Sequence, residues 1–242
     1  MAEYAVYRVR KLFRGKGKNS AGVCVRHLDR HEQSADISHP EYSEYNETEK
    51  HYNGKVWDTI NKALERHRET TGKELRADAS VAVEMVFSYS PEADIDDNDF
   101  DERVKQFIAS EFPSMQILRI DYHADETTSH WHMVGIPTTK DGRISAKEVL
   151  GGPAEFRQHQ TNFAQMVADL GLERGVPKAI RRQRGENTRN VPLRVWKGQM
   201  VAENKELKDK IDYLESADYR NHLLQENVSK KAQKVIEEVF DR

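Results

Sequence analysis

The stretch Gln116-Ile-Leu-Arg-Ile-Asp-Tyr-His123-Ala-Asp-Glu-Thr-Thr-Ser-His130-Trp-His132-Met-Val-Gly-Ile136 decides the reading of this chain. Its two ends are apolar runs, and its middle, Asp125-Glu126-Thr127-Thr128, is polar and turn-like. The pattern predicts two strands folded back on one another. Side chains alternate between the faces of a strand, so His130 and His132, two apart, point the same way. His123 closes the first strand, and the fold-back sets it beside them. Three imidazoles can then converge on one divalent cation, with Glu126 or Asp125 behind them to orient a ligand. The competing interpretation is a surface hairpin that happens to be rich in histidine.

Outward from this hairpin, Ala79 to Phe87 is β-branched and apolar enough for a central strand. Tyr4 to Leu12 alternates apolar and basic residues, as a half-buried strand with a cationic face does. Gly15 to Gly22 is a flexible basic loop, Val23 to His27 an apolar strand-like run, and residues 36–53 a long polar surface loop. Helical spacing predicts one helix over about 54–71, with Val56, Ile60 and Leu64 on a stripe and Gly72 as its stop. A second runs over about 99–111 (Val104, Phe107, Ile108), and Ile144 to Leu150 is short and amphipathic. A third helix runs from Pro153 to about Leu170, ended by Gly171. Strands and helices are mixed, which makes the fold class α+β: a central antiparallel sheet flanked by helices.

From Leu193 the composition changes. Leu207, Ile211 and Leu214 recur at four and three, and Leu224, Val228, Val235 and Val239 resume a helical period. A strict heptad would put Asp218, Asn221 and Gln225 in the seam, so the segment reads as a long amphipathic helix and an imperfect coiled coil. The expected division is a domain over 1–192 and a C-terminal helical segment over 193–242. The helix reaches the last residue without a cap and reads as a truncated piece of something longer. Its apolar stripe is a surface on which two copies could pair.

The chain has 242 residues, of which 37% are hydrophobic and 33% charged, polar for a compact domain and suggestive of a partner surface. Net charge is −3, yet the charges are segregated. Residues 1–30 carry eight Lys and Arg against Glu3 and Asp29, and residues 174–197 carry eight against Glu186, while acids collect over 92–102. Segregated blocks fit a polyanion-binding face better than a uniform surface does. The single cysteine, Cys24, excludes an internal disulfide and a thiolate zinc site. No signal peptide or membrane-spanning run is visible, so the expected location is the cytoplasm.

Three imidazoles suit Mn, Zn, Ni, Co or Fe and leave coordination positions open for substrate oxygens. A cation so held is a Lewis acid for a carbonyl or a phosphoryl oxygen, and the basic blocks favour phosphate. There is no glycine-rich nucleotide loop. A phosphodiester reaction needs either a bound water or a side chain as nucleophile. His27, beside Arg30 in a cationic region, is a candidate, and Tyr4, Tyr7, Tyr42, Tyr45 and Tyr52 are rivals. Arg76, Lys147 and the cluster Arg181, Arg182 and Arg184 are candidate contacts to the backbone of a phosphodiester substrate.

These residues carry a resemblance. A His-hydrophobic-His strand with a third histidine upstream is similar to the HUH endonucleases of single-stranded DNA processing. More specifically, the chain resembles the MobV-type (Pre/Mob) plasmid mobilisation relaxases. That family carries a first motif HNxR, an Asn-containing second motif, and a third motif HxDE followed closely by PHxH. Here His27-Leu-Asp-Arg30 matches the first, Asn46 stands for the second, and His123-Ala-Asp-Glu126 with His130-Trp-His132 matches the third. Leu28 replaces the Asn of the first motif, Ser129 replaces Pro, and Glu47 follows Asn46 where the family has Tyr.

The resemblance implies a metal-dependent enzyme that nicks an origin of transfer in bacterial plasmid or mobile-element DNA. It implies that His123, His130 and His132 bind Mn²⁺ or Mg²⁺, that Glu126 orients a ligand or relays protons, and that Arg30 steadies the scissile phosphate. His27 would be the nucleophile that keeps the 5′-phosphoryl end, and Asn46 would contact DNA. The partners so implied are single-stranded DNA and the adjacent hairpin or duplex of the origin. The alternatives are a rolling-circle replication initiator or transposase using a tyrosine, or a non-catalytic DNA-binding coiled-coil protein.

Overall fold

A computed structural model describes residues 3–15, 17, 19–29, 37, 39–185, 204–214, 216, 225 and 229–231. The chain divides into two compact units, Met1–Val176 and Pro177–Arg242, a division that falls earlier than the composition change at 193. The first unit holds β1 (Tyr4–Phe13), α1 (Ala21–Leu28), β2 (Glu47–Lys50), α2 (Val56–Thr71), β3 (Ser80–Tyr89) and α3 (Asp97–Glu111). It continues with β4 (Gln116–His123), β5 (His130–Ile136), α4 (Ala146–Leu150), α5 (Pro153–Met166) and β6 (Glu173–Arg174).

The sheet order is β2-β4-β5-β3-β1-β6. The first five strands pair antiparallel, as expected. β6 pairs parallel to β1 through two residues, so the sheet is mixed rather than purely antiparallel. The apolar central strand β3 is covered on both faces, and its alternate side chains enter two separate cores. Val83, Met85 and Phe87 meet Phe100, Val104, Phe107 and Phe163 from α3 and α5. On the other face, Ala82, Leu12 and Val134 meet Cys24, Val25, Val56 and Ile60 from α1 and α2. Each large apolar side chain so buried contributes about 1.5–3 kcal/mol. The helix ends follow local chemistry: the Asp96 side chain accepts from Asn98 N at 2.8 Å to start α3, and Gly72, at φ +69°, ends α2.

Two expectations are corrected. Val23 to His27 is not a strand but part of α1, in which Ala21, Cys24, Val25 and Leu28 are buried. A three-residue apolar run does not distinguish helix from strand. The i, i+3, i+4, i+7 spacing emerges only when Ala21 and Leu28 are included, and the uncovered sheet face recruits it as a helix. The 36–53 region is also not wholly loop. It contains a 3-10 turn, Pro40–Tyr45, and the edge strand β2, whose four residues are all exposed. Glu47-Thr-Glu-Lys50 carries no apolar signal because it is held only by pairing to β4, and its charges suit an open sheet edge.

In the second unit, α6 spans Lys178–Gln183 and residues 204–214 are helical. Leu207, Ile211 and Leu214 are exposed on that segment. The remainder of the expected coiled coil lies outside the described residues.

Candidate metal centre and active site

The hairpin forms as the sequence predicts. In the β4–β5 register His123 lies opposite His130 and Asp121 opposite His132. The three rings stand on the face covered by α1, with centroids 5.2 Å (His123–His130), 5.0 Å (His123–His132) and 4.8 Å (His130–His132) apart. The fourth ring comes from α1. β1 runs away from the histidine end of the sheet, and the eight residues of α1 return about 12 Å along it. His27, in the last turn, ends 6.1 Å from the His123 ring and 5.9 Å from the His132 ring.

Two donor sets each have their ligand atoms within 4.8 Å of one another: His27, His123 and His132, and His123, Glu126 and His130. They share His123. Glu126 therefore stands nearer than an outer carboxylate would. Its carboxylate oxygens lie 3.6 Å from His123 Nδ1 and 3.7 Å from His130 Nε2. Asp125, the other candidate, is buried and faces away, accepting from Ser43 Oγ and Asn46 Nδ2 at 2.8 Å each.

The tautomers are fixed from behind. His132 Nδ1–H donates to Glu84 Oε1 at 2.9 Å, which leaves Nε2 as the acceptor, buried among the described residues without a hydrogen-bond partner. Burial outweighs the pull of Glu84 and pushes the His132 imidazole down to about 4, so the neutral, ligating form prevails at neutral pH. His130 Nδ1–H donates to Thr128 O at 2.8 Å, turning its own Nε2 towards Glu126. An orphaned, neutral imidazole nitrogen beside these two donor sets, the first of which joins His132 to His27 rather than to His130, fits a divalent cation at the cluster.

Sequence reasoning missed Glu84. Burial would raise its carboxyl, but the His132 hydrogen bond and the His132 and Arg10 charges hold it well below the usual carboxylate range. Arg10 Nε donates to Glu84 Oε2 at 2.6 Å, and Cys24 Sγ to Oε1 at 3.4 Å. The signal was a lone charge inside Val81-Ala-Val-Glu-Met-Val86. A second missed network seats α1. Arg119, fully buried, bonds Asp121 through Nε (2.7 Å) and Nη2 (2.5 Å), and reaches Asp29 through Nη1 (2.7 Å). Asp29 caps α1 two residues after His27.

The remaining predicted residues divide. Asn46 braces the histidine hairpin: its Oδ1 accepts from Ala124 N and its Nδ2 donates to Asp125, both at 2.8 Å. Arg76 and Lys147 are exposed, but Arg76 precedes the start of β3 and Lys147 follows the end of β5. β5 runs from His130 to Ile136, so both lie towards the end of the sheet about 20 Å from His130. Arg76 pairs with Asp78 at 3.3 Å. Arg181, Arg182 and Arg184 are exposed residues of the second unit. Arg30 lies outside the described residues. Of the rival tyrosines, Tyr7 is buried in the core on the opposite face, its hydroxyl pushed up by burial, and Tyr52 packs in the α1/α2 core. Tyr42 and Tyr45 are exposed along a groove on the outer side of the 124–129 loop.

A mixed sheet with flanking helices is the fold of the MobM relaxase domain, a MobV-type relaxase. The MobM relaxase domain, in a Mn-bound crystal structure with plasmid pMV158 oriT DNA, superposes with a TM-score of 0.63 at 22% identity. That match covers 81% of this chain and 99% of the MobM chain. Residues 1–190 match the plasmid recombination enzyme (Mob_Pre) family, and the chain belongs to it. Among its relatives are the plasmid recombination enzyme type 3 of Staphylococcus aureus (28% identical, 73% of this chain, 44% of the relative) and a 65 kDa protein of Zymomonas mobilis (30%, 73% and 30%). The chain spans less than half the length of these relatives. No helix among the described residues is long and apolar enough to cross a membrane.

Proposed function

We propose that residues 1–192 form a DNA-nicking domain that cuts one strand at an origin of transfer and holds the 5′ end covalently through His27. The observation that carries this reading is the ring of His27 standing about 6 Å from those of His123 and His132. Family membership and the likeness to a relaxase domain bound to oriT DNA support the same substrate. Mn²⁺ or Mg²⁺, when held by His123, His130 and His132 with Glu126, supplies Lewis-acid polarisation of a phosphoryl oxygen.

The chain's own residues supply the rest. A neutral His27 nitrogen attacks phosphorus and forms the N–P bond, and the P–O3′ bond breaks with its electron pair on O3′. The proton lost from the other ring nitrogen balances the one O3′ gains. The phosphoramidate conserves the energy of the phosphodiester, so the strand can be rejoined by the reverse step. Arg30 follows His27 by three residues and would neutralise the phosphate. The exposed Arg181, Arg182 and Arg184 would contact flanking DNA, with the salt dependence that phosphate contacts bring. The exposed Leu207, Ile211 and Leu214 support pairing of two copies through the C-terminal helix.

The test incubates the chain with supercoiled plasmid and single-stranded oligonucleotides, with and without Mn²⁺. The expected product is an acid-labile covalent adduct that is lost in His27→Ala. An acid-stable adduct that survives His27→Ala would move the chemistry to a tyrosine. No nicking with any metal would overturn the enzyme reading.

A further inference from the structure

We propose that the groove on the outer side of the 124–129 loop is a nucleobase pocket, which receives one unstacked, amino-bearing base beside the phosphate handled at the histidines. The inference rests on the reading of the histidine site as DNA-processing, and adds to it a place for the base.

The groove has a volume of about 690 Å³, within the usual range of small-molecule sites. One wall is aromatic. Tyr42 and Tyr45 on the 3-10 turn are 47% and 59% exposed, their ring centroids are 6.3 Å apart, and the His39 ring lies 5.6 Å from Tyr42 at a 30° tilt. Three adjacent rings presented to solvent form a platform on which a base can stack. The lining is also acidic. Glu44, Glu47, Asp97 and Glu126 line the groove, and among the described residues no Lys or Arg does. A phosphate is repelled from such a lining. A base is not, and ionised carboxylates only accept hydrogen bonds, so they favour the exocyclic amines of cytosine, adenine and guanine over thymine.

Glu126 joins the two compartments. It faces His123 and His130 and also lines the groove, so the 124–129 loop is a shared wall. A strand whose phosphate sits at the histidines can therefore turn its neighbouring base over this wall onto the tyrosines. The platform is also tied to the wall. Ser43 lies within the 3-10 turn and Asn46 caps it, and both bond the Asp125 carboxylate at 2.8 Å. The pocket and the histidine loop thus form one hydrogen-bonded piece.

The test measures anisotropy of labelled oligo-dC and oligo-dT on the whole chain at one salt concentration, with Mn²⁺ affinity measured calorimetrically alongside. Oligo-dC is expected to bind the wild-type chain several-fold more tightly than oligo-dT. Tyr42→Leu with Tyr45→Leu should weaken oligo-dC binding by about 5- to 150-fold, the range of losing the stacking of one base, while Mn²⁺ affinity holds. Tyr42→Phe with Tyr45→Phe should bind as wild type, because the ring rather than the hydroxyl does the stacking. Unchanged oligo-dC binding in the leucine variant, or oligo-dT bound as well as oligo-dC, would overturn the pocket alone. A wild-type chain that binds neither strand would overturn the DNA-processing reading and the pocket with it.

Discussion

Replacing Arg119 with Met should destabilise the domain by about 3–5 kcal/mol, the usual cost of removing one partner from a buried ion pair. The Arg119 and Asp121 side chains are both fully buried. Burial would lower the guanidinium pKa, but the carboxylates of Asp121 and Asp29 outweigh it and keep the charge on. Met fills comparable volume yet leaves Asp121 with the Thr48 hydroxyl, at 2.8 Å, in place of two charged hydrogen bonds. Asp29 is less exposed to the loss, because its side chain is 22% accessible and Lys50 Nζ stays 3.2 Å away. The penalty therefore concentrates on Asp121. With a urea dependence of about 2 kcal/mol/M, the denaturation midpoint should fall on the order of 2 M. The decisive comparison is Arg119→Met combined with Asp121→Leu. Removing both charges removes the stranded anion, so the double variant should recover most of the loss. A single variant within 0.5 M of wild type (about 1 kcal/mol at that slope), or a double variant no better than the single, would refute this reasoning.

Glu84→Gln keeps a side chain of similar size next to His132 but removes the charge that fixes its Nδ1–H tautomer, so calorimetric Mn²⁺ affinity should fall about 10- to 100-fold; unchanged affinity would show that Glu84 serves only Arg10. The metal-free protein should lose stability as pH falls from 6.5 to about 4, because burial depresses His132 to about 4 and the unfolded chain takes up a proton the folded chain refuses. The loss should reach about 3 kcal/mol, read from urea midpoints in chelator, and a slope just as steep in His132→Gln would contradict the assignment. Asn46→Ala should weaken Mn²⁺ binding while leaving the melting temperature within about 4–8 °C of wild type, the shift that ~1 kcal/mol gives in a small domain; its amide holds Ala124 and Asp125 next to the ligands. Gly151→Ala should cost far more than Gly72→Ala in thermal denaturation, since both have positive φ but only at Gly151 would a Cβ meet Glu155 Cβ at 2.4 Å. Equal losses would mean that backbone conformation alone sets the cost.

The histidine hairpin was legible because its pattern is local: two strands, a turn and three histidines lie within one continuous segment. So was β3, whose apolar run needs no partner to identify it. Glu84, Arg119 and Asp121 were not legible as site residues, since each acts through strand pairing. Glu84 supports His132 only because Val86 is registered opposite His132, with Arg10 opposite Glu84 on the other side. A one-residue slip in either ladder would turn these side chains to the other face. The role of Asn46 was obscured for a related reason. Motif matching marks a residue as important without saying what it touches, and here the amide braces a loop 79 residues away in sequence.

The placement of His27 on a helix, where the sequence suggested a strand, bears on how the site divides its work. His123, His130 and His132 stand on β4 and β5, whose ladder fixes their register. His27 instead rides at the end of an eight-residue helix whose inner face, Ala21, Cys24, Val25 and Leu28, sets its height above the sheet. The Asp29–Arg119 bond then fixes the end of that helix. Cys24 on the same helix also donates to Glu84, so the element carrying His27 and the carboxylate orienting His132 are in direct contact. A histidine on a strand of the sheet would instead be registered with His123, His130 and His132. On α1, His27 meets the cluster from the helix side, its ring 6.1 Å from that of His123 and 5.9 Å from that of His132, which is the approach that the proposed attack on a phosphate requires.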